Sequence, residues 1–375
     1  MIYNESKYNR QWETKKLSEL GVFARGKSKH RPRNDERLFE GGGYPLVQTG
    51  EIKDANLYIR HHEQEYGDFG LKQSKLWNTG TLCITIAANI AETAILAYPM
   101  CFPDSIVGFS ANHEKSSEKF MYYIFEYIKK SIQNAATGSI QDNINIDYLT
   151  SLDFKVPSKK YQDEMVMLLS AIDEKILLNS EINDNLSAMA YDIYMHNFFS
   201  KKPNAKLKDI LTEDEKSAIQ VGEAKTSNGE YPFFTSGATI LKWNEPFVDG
   251  RNCFLNTGGN ADVKFYVGKA AYSTDTWSIS AKSEMSDYLY LMLFSIKPEL
   301  DQKFFQGTGL KHLQKPLLKD RPIYVPEKLE LEAFNRQVMP MFDIISENTR
   351  ENQQLTSLRD WLLPMLMNGQ ATISD

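Results

Sequence analysis

The chain carries the same sequence pattern twice, and this duplication constrains its fold more than any other feature. Tyr44-Pro45 and Gly50 recur as Tyr231-Pro232 and Gly237, with a shift of 187 residues. A repeat of this length is much longer than a solenoid repeat, so each copy is expected to be a domain with its own core. Further pairs follow in the same order with shifts of 169 to 171 residues: Gly80 and Gly250, Cys83 and Cys253, Asp104 and Asp275, Thr137-Gly138 and Thr308-Gly309, Val156-Pro157 and Val325-Pro326, Asn179 and Asn348, Asn183 and Asn352, and Leu186 and Leu355.

The two copies differ mainly in the length of one segment, residues 51–79. Thirty residues separate Gly50 from Gly80, whereas 13 separate Gly237 from Gly250. A duplicated scaffold with one unequal segment is typical of two related but different binding surfaces. A neutral surface insertion would leave the same pattern, so the role of the segment stays open.

Composition favours a cytoplasmic protein with sizeable cores. Hydrophobic residues make up 42% of the chain, including 20 Phe and 19 Tyr. No apolar run approaches the ~18 residues of a membrane span, and the first ten residues are too polar for a signal peptide. Cys83, Cys101 and Cys253 lack CxxC spacing and are expected to be reduced core residues. No metal site is readable, because the adjacent pair His61-His62 would point to opposite faces of a strand.

Each copy begins with a strand-rich part and ends with a helical part. Short apolar runs, such as Thr81 to Ile86 and Cys253 to Leu255, alternate with Gly and Pro and predict strands. Amphipathic segments from Phe120 to Ile132 and from Tyr288 to Phe294 predict helices packed on the sheets. After Val-Pro in both copies only helical patterns follow. The predicted domains are therefore residues 1–157 and 201–326, with helices over 158–200 and 327–375.

Heptad spacing predicts that the two helical stretches are long and pair with each other in antiparallel fashion. The predicted fold class is accordingly α+β, with two pseudo-repeated mixed α/β domains separated by two coiled-coil-like helices. Asn179 with Asn348 and Asn183 with Asn352 fall mid-helix, where an antiparallel pairing would bring them together and fix the register. The predicted seam consists of Met165, Ile172, Asn179, Leu186 and Ile193 at one heptad position and Leu168, Lys175, Ile182, Met189 and His196 at the other.

Net charge is distributed unevenly along the chain. The formal charge is -6 overall, but the helical stretches carry about -4 each, and the two globular parts are neutral and slightly basic. The first globular part contains Arg25, Lys27, Lys29, His30, Arg31 and Arg33 within nine residues. Such a run beside Gly and Pro can follow a phosphate backbone, although a solvated surface loop would have the same composition.

Several passages resemble the DNA specificity subunit of type I restriction-modification systems. The resemblance covers essentially the whole chain, including the order of globular domain, helix, globular domain and helix. The passages are Trp12 to Leu20 (WETKKLSEL), Tyr44 to Gly50 (YPLVQTG), Thr274 to Ile279 (TDTWSI) and, most specific of all, Leu358 to Gln370 (LRDWLLPMLMNGQ). The first copy departs from the second in having Pro103 where the second has Thr274, and Ala88-Asn89 where the second has Gly258-Gly259.

This resemblance implies a prokaryotic cytoplasmic protein without chemistry of its own. Each domain would read one half of a bipartite, asymmetric double-stranded DNA target, and the helices would set the half-site spacing. Two methyltransferase subunits would dock on the helices and carry the restriction subunits, with S-adenosylmethionine, ATP and Mg expected on those partners. The residues agree, because the chain lacks Asn-Pro-Pro-Tyr, Asp-Pro-Pro-Tyr and P-loop motifs. The alternatives are the recognition part of a fused methyltransferase or restriction enzyme, and a scaffold without DNA affinity.

Candidate contacts follow from the matched loops and from the helices. The loops combine glycine with side chains suited to base edges or phosphates, although turn chemistry favours the same residues. No catalytic residue is assigned. The predicted DNA contacts are Lys27, Lys29, Arg31, Arg33, Gln48, Thr49, Asn89, Ser139, Gln141, Asn143, Thr235, Ser236, Asn256, Thr257, Lys311, His312 and Gln314. The predicted partner contacts, apolar but outside the seam, are Ile176, Leu177, Tyr194, Ile344 and Trp361, which would alternatively pack on the chain's own domains.

Overall fold

The protein, seen here in a computed structural model, is described over residues 2–137, 144–307 and 309–373. Its internal contacts group into two units, one made of Met1–Leu177 with Gln354–Asp375 and the other of Leu178–Gln353. Both borders fall inside the long helices, so each unit contains a globular part and sections of both helices. The predicted domains 1–157, 158–200, 201–326 and 327–375 follow the secondary structure and stay a prediction.

The first unit is built from two main sheets and a covering helix. A five-stranded sheet has the order β2-β10-β7-β8-β4, a four-stranded sheet has the order β5-β3-β9-β6, and β1 pairs with β11. Its elements are β1 Glu13–Lys16, β2 Gly21–Arg25, β3 Tyr44–Leu46, α1 Thr49–Asp54, β4 Tyr58–Ile59, β5 Gln64–Tyr66, α2 Asp68–Gln73, β6 Leu76–Trp77, β7 Leu82–Thr85, β8 Thr93–Leu96, β9 Met100–Cys101, β10 Ile106–Ala111, α3 Glu118–Thr137, α4 Ile146–Ser151, β11 Asp153–Val156 and the start of α5 Lys159–Tyr194.

The core of the first unit lies between the five-stranded sheet and α3. All four residues of β7 are buried, and antiparallel pairing places Ile84 opposite Val107 of β10. Strands covered on both faces are expected to read as continuous apolar runs, as β7 does. The α3 side chains that pack against the sheet, all at most 1% exposed, are Phe120, Met121, Tyr123, Ile124, Phe125, Ile128 and Ile132.

The second unit repeats this plan with one larger sheet. Its six strands have the order β13-β18-β16-β17-β14-β15, and α8 covers the buried face. Its elements are the end of α5, β12 Ala205–Lys206, α6 Leu207–Ile210, β13 Leu211–Glu213, α7 Val221–Ala224, β14 Tyr231–Phe234, β15 Leu241–Trp243, β16 Val248–Asn256, β17 Val263–Tyr272, β18 Thr276–Ala281, α8 Ser286–Ser295, α9 Lys297–Glu299, β19 Phe305–Gln306, β20 His312–Leu313, α10 Lys315–Lys319, β21 Pro322–Ile323 and the start of α11 Lys328–Met367.

The duplication is visible in the strand pairing. The parallel pair β3 and β9, which aligns Leu46 with Cys101, corresponds to the parallel pair β14 and β17, which aligns Phe233 with Ala271. The ten-residue β17 occupies the place that β8 and β9 share in the first unit. The longer segment 51–79 forms strands and a helix of its own, so the unequal segment is folded structure and not a bare loop. The predicted α+β fold of two pseudo-repeats is confirmed.

The two long helices meet through an asparagine layer within the second unit. Asn179 Nδ2 donates to Asn352 Oδ1 at 2.9 Å, and Asn348 Nδ2 donates to Asn183 Oδ1 at 2.9 Å. Asn179 also donates to Glu351 Oε2 at 2.6 Å. The antiparallel pairing of these residues, predicted from the repeat, is confirmed. It satisfies the side-chain amide of Asn179, which is 1% exposed and would be costly to leave without hydrogen bonds.

The second seam position predicted from the heptads is wrong. Leu168, Ile182 and Met189 are 36%, 43% and 52% exposed, whereas Leu169 and Ala190, one residue further along, are fully buried. The reason is that α5 packs on globular structure as well as on a helix. A helix on a globular core buries a wide stripe with the 3.6-residue period, whereas the narrow 3.5-residue seam holds only for a coiled coil.

Tyr194 is a core residue, which corrects its predicted role as a partner contact. It is 4% exposed, and its ring centroid lies 5.7 Å from that of Tyr288 and 6.1 Å from that of Phe198. The alternative weighed for these apolar residues, packing on the chain's own globular part, therefore holds here. In the described parts of the chain, no helix is long and apolar enough to cross a membrane.

Replacing Tyr194 with alanine is expected to lower the free energy of unfolding of the second unit by about 3–5 kcal/mol, the usual cost of removing a large buried ring. Met189→Ala is the matched control on the same helix, where an exposed side chain is shortened and the change should stay within about 0.5 kcal/mol. Urea denaturation followed by circular dichroism measures both. Equal destabilisation of the two variants would contradict the burial of Tyr194.

Candidate nucleic-acid interface

Three chain segments of the first unit meet at one edge of the five-stranded sheet. Strand β2 ends there, β10 begins there, and the 86–92 loop joins β7 to β8 at the same edge. Main-chain hydrogen bonds tie the segments together, from Gly26 N to Ile106 O at 2.8 Å and from Ile86 N to Ser105 O at 2.9 Å. The basic run that starts at Arg25 therefore leaves the sheet beside the turn that contains Asp104.

The cations of the basic run fall into two groups. Arg31 and Arg33 both pair with Asp104, with N to O distances of 3.5 and 2.5 Å. The ammonium groups of Lys27 and Lys29 have no carboxylate within 4.0 Å among the described residues. The lysines are thus available to a phosphate, whereas the arginine charges are partly compensated.

A second carboxylate stabilises the far end of the basic loop. Asp35 Oδ2 lies 2.7 Å from Arg37 Nη2 and 2.7 Å from His30 Nε2. The pKa of Asp35 lies well below its usual range, mainly because Arg37 donates a hydrogen bond to its carboxylate and, to a smaller extent, because His30 does so as well. The histidine of the run is therefore engaged within the loop and is not presented to a ligand.

Other predicted contacts of the first unit lie on the neighbouring loop. Asn89 is exposed, and its Nδ2 lies 3.5 Å from the main-chain oxygen of Thr49, which follows the exposed Gln48. Ala88 has a left-handed backbone with φ of 53°, which is uncommon without glycine and recurs at functional loops. The structure thus brings Gln48, Thr49 and Asn89 together. The remaining predicted contacts of this unit, Ser139, Gln141 and Asn143, lie outside the described residues.

The matched edge of the second unit is organised around the main-chain oxygen of Asp275. This oxygen accepts from Thr257 N at 3.0 Å and from Ser236 Oγ at 2.8 Å. Thr257 O in turn accepts from Leu313 N at 3.0 Å, and Gly259 N donates to Lys311 O at 3.0 Å. Four loops are joined in this way, and they place Ser236, Thr257 and Lys311 on one edge.

Two predicted contacts of the second unit prove to be supports of these loops. Thr235 and Asn256 are each 5% exposed. Asn256 Nδ2 donates to Ser236 O at 3.0 Å and to Asn260 O at 3.2 Å, and Thr235 Oγ1 accepts from Gly237 N at 3.0 Å. Their predicted role as direct DNA contacts is corrected, because contact with a base would require giving up these buried hydrogen bonds.

The hairpin of β19 and β20 carries the last predicted contacts. His312 is exposed, and Gln314 Nε2 donates to its main-chain oxygen at 3.1 Å. Lys311 Nζ lies 2.9 Å from Asp301 Oδ2, and this hydrogen bond is the main reason that the pKa of Asp301 is lowered. His312 and Gln314 are therefore better placed than Lys311 to meet a ligand without breaking an ion pair.

A lysine cluster at the same edge was not predicted from the sequence. The Nζ atoms of Lys315 and Lys319 lie 4.8 and 5.8 Å from the ring centroid of Trp277. Trp277 is the second residue of β18, after Thr276. Burial lowers the pKa of Lys315, and the nearby charges of Lys319 and Lys216 act in the same direction. Lys315 and Lys319 lie at the two ends of α10, but Trp277 and Lys216 come from distant parts of the sequence, so only the fold brings the cluster together.

The described residues include possible metal ligands, namely His, Asp and Glu, and three thiols. None of the described ranges contains three His, Cys, Asp or Glu residues grouped to hold a metal ion. Cys83, Cys101 and Cys253 are free and buried, as expected for core thiols. Burial raises the pKa of the Cys101 thiol to about 11, which leaves it protonated and unreactive.

Comparison with known proteins gives a consistent result. The family model described as type I restriction modification DNA specificity domain matches residues 9–188 and 201–356, one range for each copy. The type I restriction enzyme MjaIX specificity subunit of Methanocaldococcus jannaschii is 20% identical over 98% of this chain and 95% of its own length. The HindI specificity subunit of Haemophilus influenzae is 33% identical over 65% of this chain and 74% of its own. The crystal structure of the type I restriction-modification S subunit from M. genitalium has a similar fold, with a TM-score of 0.64, 16% identity and full coverage of both chains.

Replacing Lys27 and Lys29 with alanine is expected to weaken binding to all DNA sequences alike. Removal of one phosphate contact should reduce the slope of log affinity against log salt concentration by about 0.9, or roughly 1.8 for both. Titration of the purified protein with duplex DNA at several salt concentrations measures this slope. The control removes two exposed lysines from the long helices, Lys160 and Lys328, and should leave the slope unchanged. An unchanged slope in the Lys27 and Lys29 variant would exclude both as phosphate contacts.

Proposed function

Because the chain belongs to the type I restriction-modification DNA specificity family, we propose that each unit reads one half of a bipartite, asymmetric target. The single observation that carries this proposal is the pair of matched loop edges, one at the same place in each copy of the fold. They share an Asp turn but present different groups, with arginines around Asp104 in one and Ser236 and Thr257 around Asp275 in the other. Equal scaffolds with unequal contact groups suit two different half-sites.

In this proposal the chain selects DNA and its partners perform the chemistry. A methyltransferase subunit would bring S-adenosylmethionine, and a restriction subunit bound through the methyltransferase would use ATP and Mg. The complex would act in the prokaryotic cytoplasm on double-stranded DNA. Lys27 and Lys29, which have no carboxylate partner among the described residues, support DNA binding and argue against a pure protein scaffold, since a scaffold has no use for unpaired cations at such an edge.

The surface proposed to receive the methyltransferase is an exposed apolar stripe on α5. Leu178, Ile182 and Met189 are 54%, 43% and 52% exposed and follow helical spacing along one face. Such a stripe is unfavourable in water unless a partner covers it. On α11, the predicted contacts Ile344 and Trp361 are 43% and 56% exposed and fit the same role.

The remaining predicted partner contacts, Ile176 and Leu177, are half-buried and are left at the margin of the docking surface. Two copies of the methyltransferase are proposed because the sequence duplication offers two related helices. Two helices with related surfaces can each bind a copy of the same partner, which favours two identical partner subunits over one.

Mapping of methylated bases in DNA from cells that express this chain with its partner subunits tests the function directly. The expected result is modification within one split target that has two unequal halves and an unread spacer. Omission of the chain should abolish the modification. A continuous target, or modification that persists without the chain, would contradict the proposal.

Replacing Ile182 and Met189 with glutamate is expected to abolish capture of the methyltransferase while leaving the chain folded. The reason is that the complex would have to bury two unpaired carboxylates, whereas both positions face water in the free chain. A pull-down measures capture, and circular dichroism checks the fold. Ala188→Glu adds a carboxylate at a neighbouring position outside the stripe and should bind normally. Undiminished capture by the double variant would place the docking surface elsewhere.

Shortening both helices together is expected to change the spacing between the half-sites. Residues 180–186 and 345–351 face each other in the asparagine register, so their joint deletion keeps Asn179 paired with Asn352. Deletion of seven residues shortens a helix by about 10 Å, equivalent to about three base pairs of duplex. Binding to targets with altered spacers should show an optimum about three base pairs shorter, or a loss of recognition. An unchanged optimum would contradict the spacing role of the helices.

A further inference from the structure

Two arginines of the basic loop share one carboxylate at the edge of the first unit. Arg33 Nη2 lies 2.5 Å from Asp104 Oδ1, and Arg31 Nη2 lies 3.5 Å from Asp104 Oδ2. A third arginine, Arg25, donates through Nε to the main-chain oxygen of Asp104 at 2.6 Å. The side chain and the main chain of Asp104 therefore both hold arginines, and the position of the carboxylate is defined by the turn before β10.

The two guanidinium groups that reach this carboxylate differ in the donors that remain available. Arg31 also donates through Nη1, to Ser28 O at 2.6 Å and to His30 O at 2.8 Å. In the described part of the chain, Arg33 donates only through Nη2, to Asp104. The Arg33 side chain is 51% exposed, so Nε, Nη1 and the second hydrogen of Nη2 remain open to a ligand, and this second Nη2 hydrogen forms a parallel pair of donors with one of its two neighbours. Arg31 stabilises the loop. Arg33 is fixed in place by Asp104 but still has hydrogen-bond donors that no described residue uses.

A carboxylate beside an arginine changes what the arginine can bind. The charge of Asp104 offsets part of the charge on Arg33 and repels a phosphate brought to the same place. It also holds the planar guanidinium in one orientation, which lowers the entropic cost of forming two parallel hydrogen bonds. In the major groove, guanine presents its O6 and N7 acceptors side by side, and arginine matches them with two donors. The arrangement favours a base over a phosphate.

We propose that Arg33, oriented by Asp104, reads a guanine in the half-site recognised by the first unit. Arg33 is then a specificity-determining residue and Asp104 a positioning residue, while Lys27 and Lys29 meet the phosphates. This inference rests on the proposed function and adds to it the identity of one base.

The second unit lacks this arrangement, so the guanine belongs to one half-site only. The matched residue Asp275 accepts from Ser236 and Thr257 through its main-chain oxygen. Among residues 144–307 and 309–373, no arginine or lysine nitrogen lies within 4.0 Å of its carboxylate. The segment that follows β13 begins with Asp214 and Glu215, where the segment that follows β2 carries the basic run. The two halves of the target are therefore read by different chemistry.

The test uses the assembled complex with its methyltransferase partner and duplexes that contain the mapped target. Each guanine is replaced in turn by 7-deazaguanine, which lacks the N7 acceptor, and by inosine, which keeps both O6 and N7. With the unaltered chain, 7-deazaguanine at one position should weaken binding about tenfold or more, whereas inosine there should have little effect.

Arg33→Ala should weaken binding to the unmodified target by about 5- to 150-fold, the range for removal of one bidentate interaction with a base. In this variant, 7-deazaguanine at the same position should cause no further loss of affinity, because the arginine that binds N7 has been removed. Asp104→Asn should reduce discrimination at that guanine alone. Arg37→Ala, which removes a neighbouring arginine paired with Asp35, is the matched control and should leave discrimination intact.

Two results would overturn the inference while leaving the proposed function in place. One is that no guanine shows coupling to Arg33. The other is that Arg33→Ala weakens all sequences equally and lowers the salt slope, which would make Arg33 a phosphate contact. Arg33→Lys guards against a folding defect, because it keeps the charge and should lose guanine discrimination without a change in salt slope. An unaltered complex without any sequence preference would overturn the proposed function as well.

Discussion

A polar network around one buried aspartate, Asp173 or Asp287, joins the long helices to the globular part of each unit, and the remaining structure depends on these two networks. In the first unit, Asp173 of α5 is held by Arg359 of α11 at 2.9 Å and by the Tyr123 hydroxyl of α3 at 2.7 Å. In the second unit, Arg251 of β16 bridges Asp287 of α8 and Asp343 of α11, at 2.6 and 2.5 Å. Removal of the arginine from either network is expected to cost about 3–5 kcal/mol, because the buried carboxylate of Asp173 or Asp287 would lose its counter-charge. Each network therefore specifies which helix face meets the sheet, and through the sheet it positions the loop edge.

Local patterns were sufficient to predict several elements of the fold, although not the strands and the helix within residues 51–79. The apolar run Thr81 to Ile86 contains β7, and the amphipathic segment from Phe120 to Ile132 lies within α3. The duplication did more, because it placed Asn179 and Asn348 at equivalent points of two helices and so predicted their antiparallel layer. These successes share one cause. The spacing of apolar residues depends only on neighbours in the sequence, and the duplication can be recognised by comparing the sequence with itself.

Long-range packing accounts for what the sequence could not predict. Tyr194 lies outside the predicted seam between the two helices and was expected to face a partner, yet the globular core of its own unit covers it. Thr235 and Asn256 have the chemistry of base contacts, yet they hold the loops from within. Asp104 served in the sequence only as a marker of the repeat, and its role became visible when the fold brought Arg31 and Arg33 to it from more than seventy residues away. The type of a polar side chain alone does not reveal whether its hydrogen bonds are made within the protein or remain available to a ligand.

The division of the chain into units has a consequence for its synthesis. The second unit is one continuous stretch, Leu178–Gln353, whereas the first combines the beginning of the chain with its last residues. Asn4 Nδ2 donates to Met367 O at 2.6 Å, and Ser6 Oγ donates to Asn368 O at 2.5 Å, so Asn4 and Ser6 wait for partners that are translated more than 360 residues later. On the ribosome, the first unit is therefore begun before the second unit and completed after it. A truncated product would keep the second unit intact but leave the first without its closing helix, and with apolar surface available to chaperones and proteases.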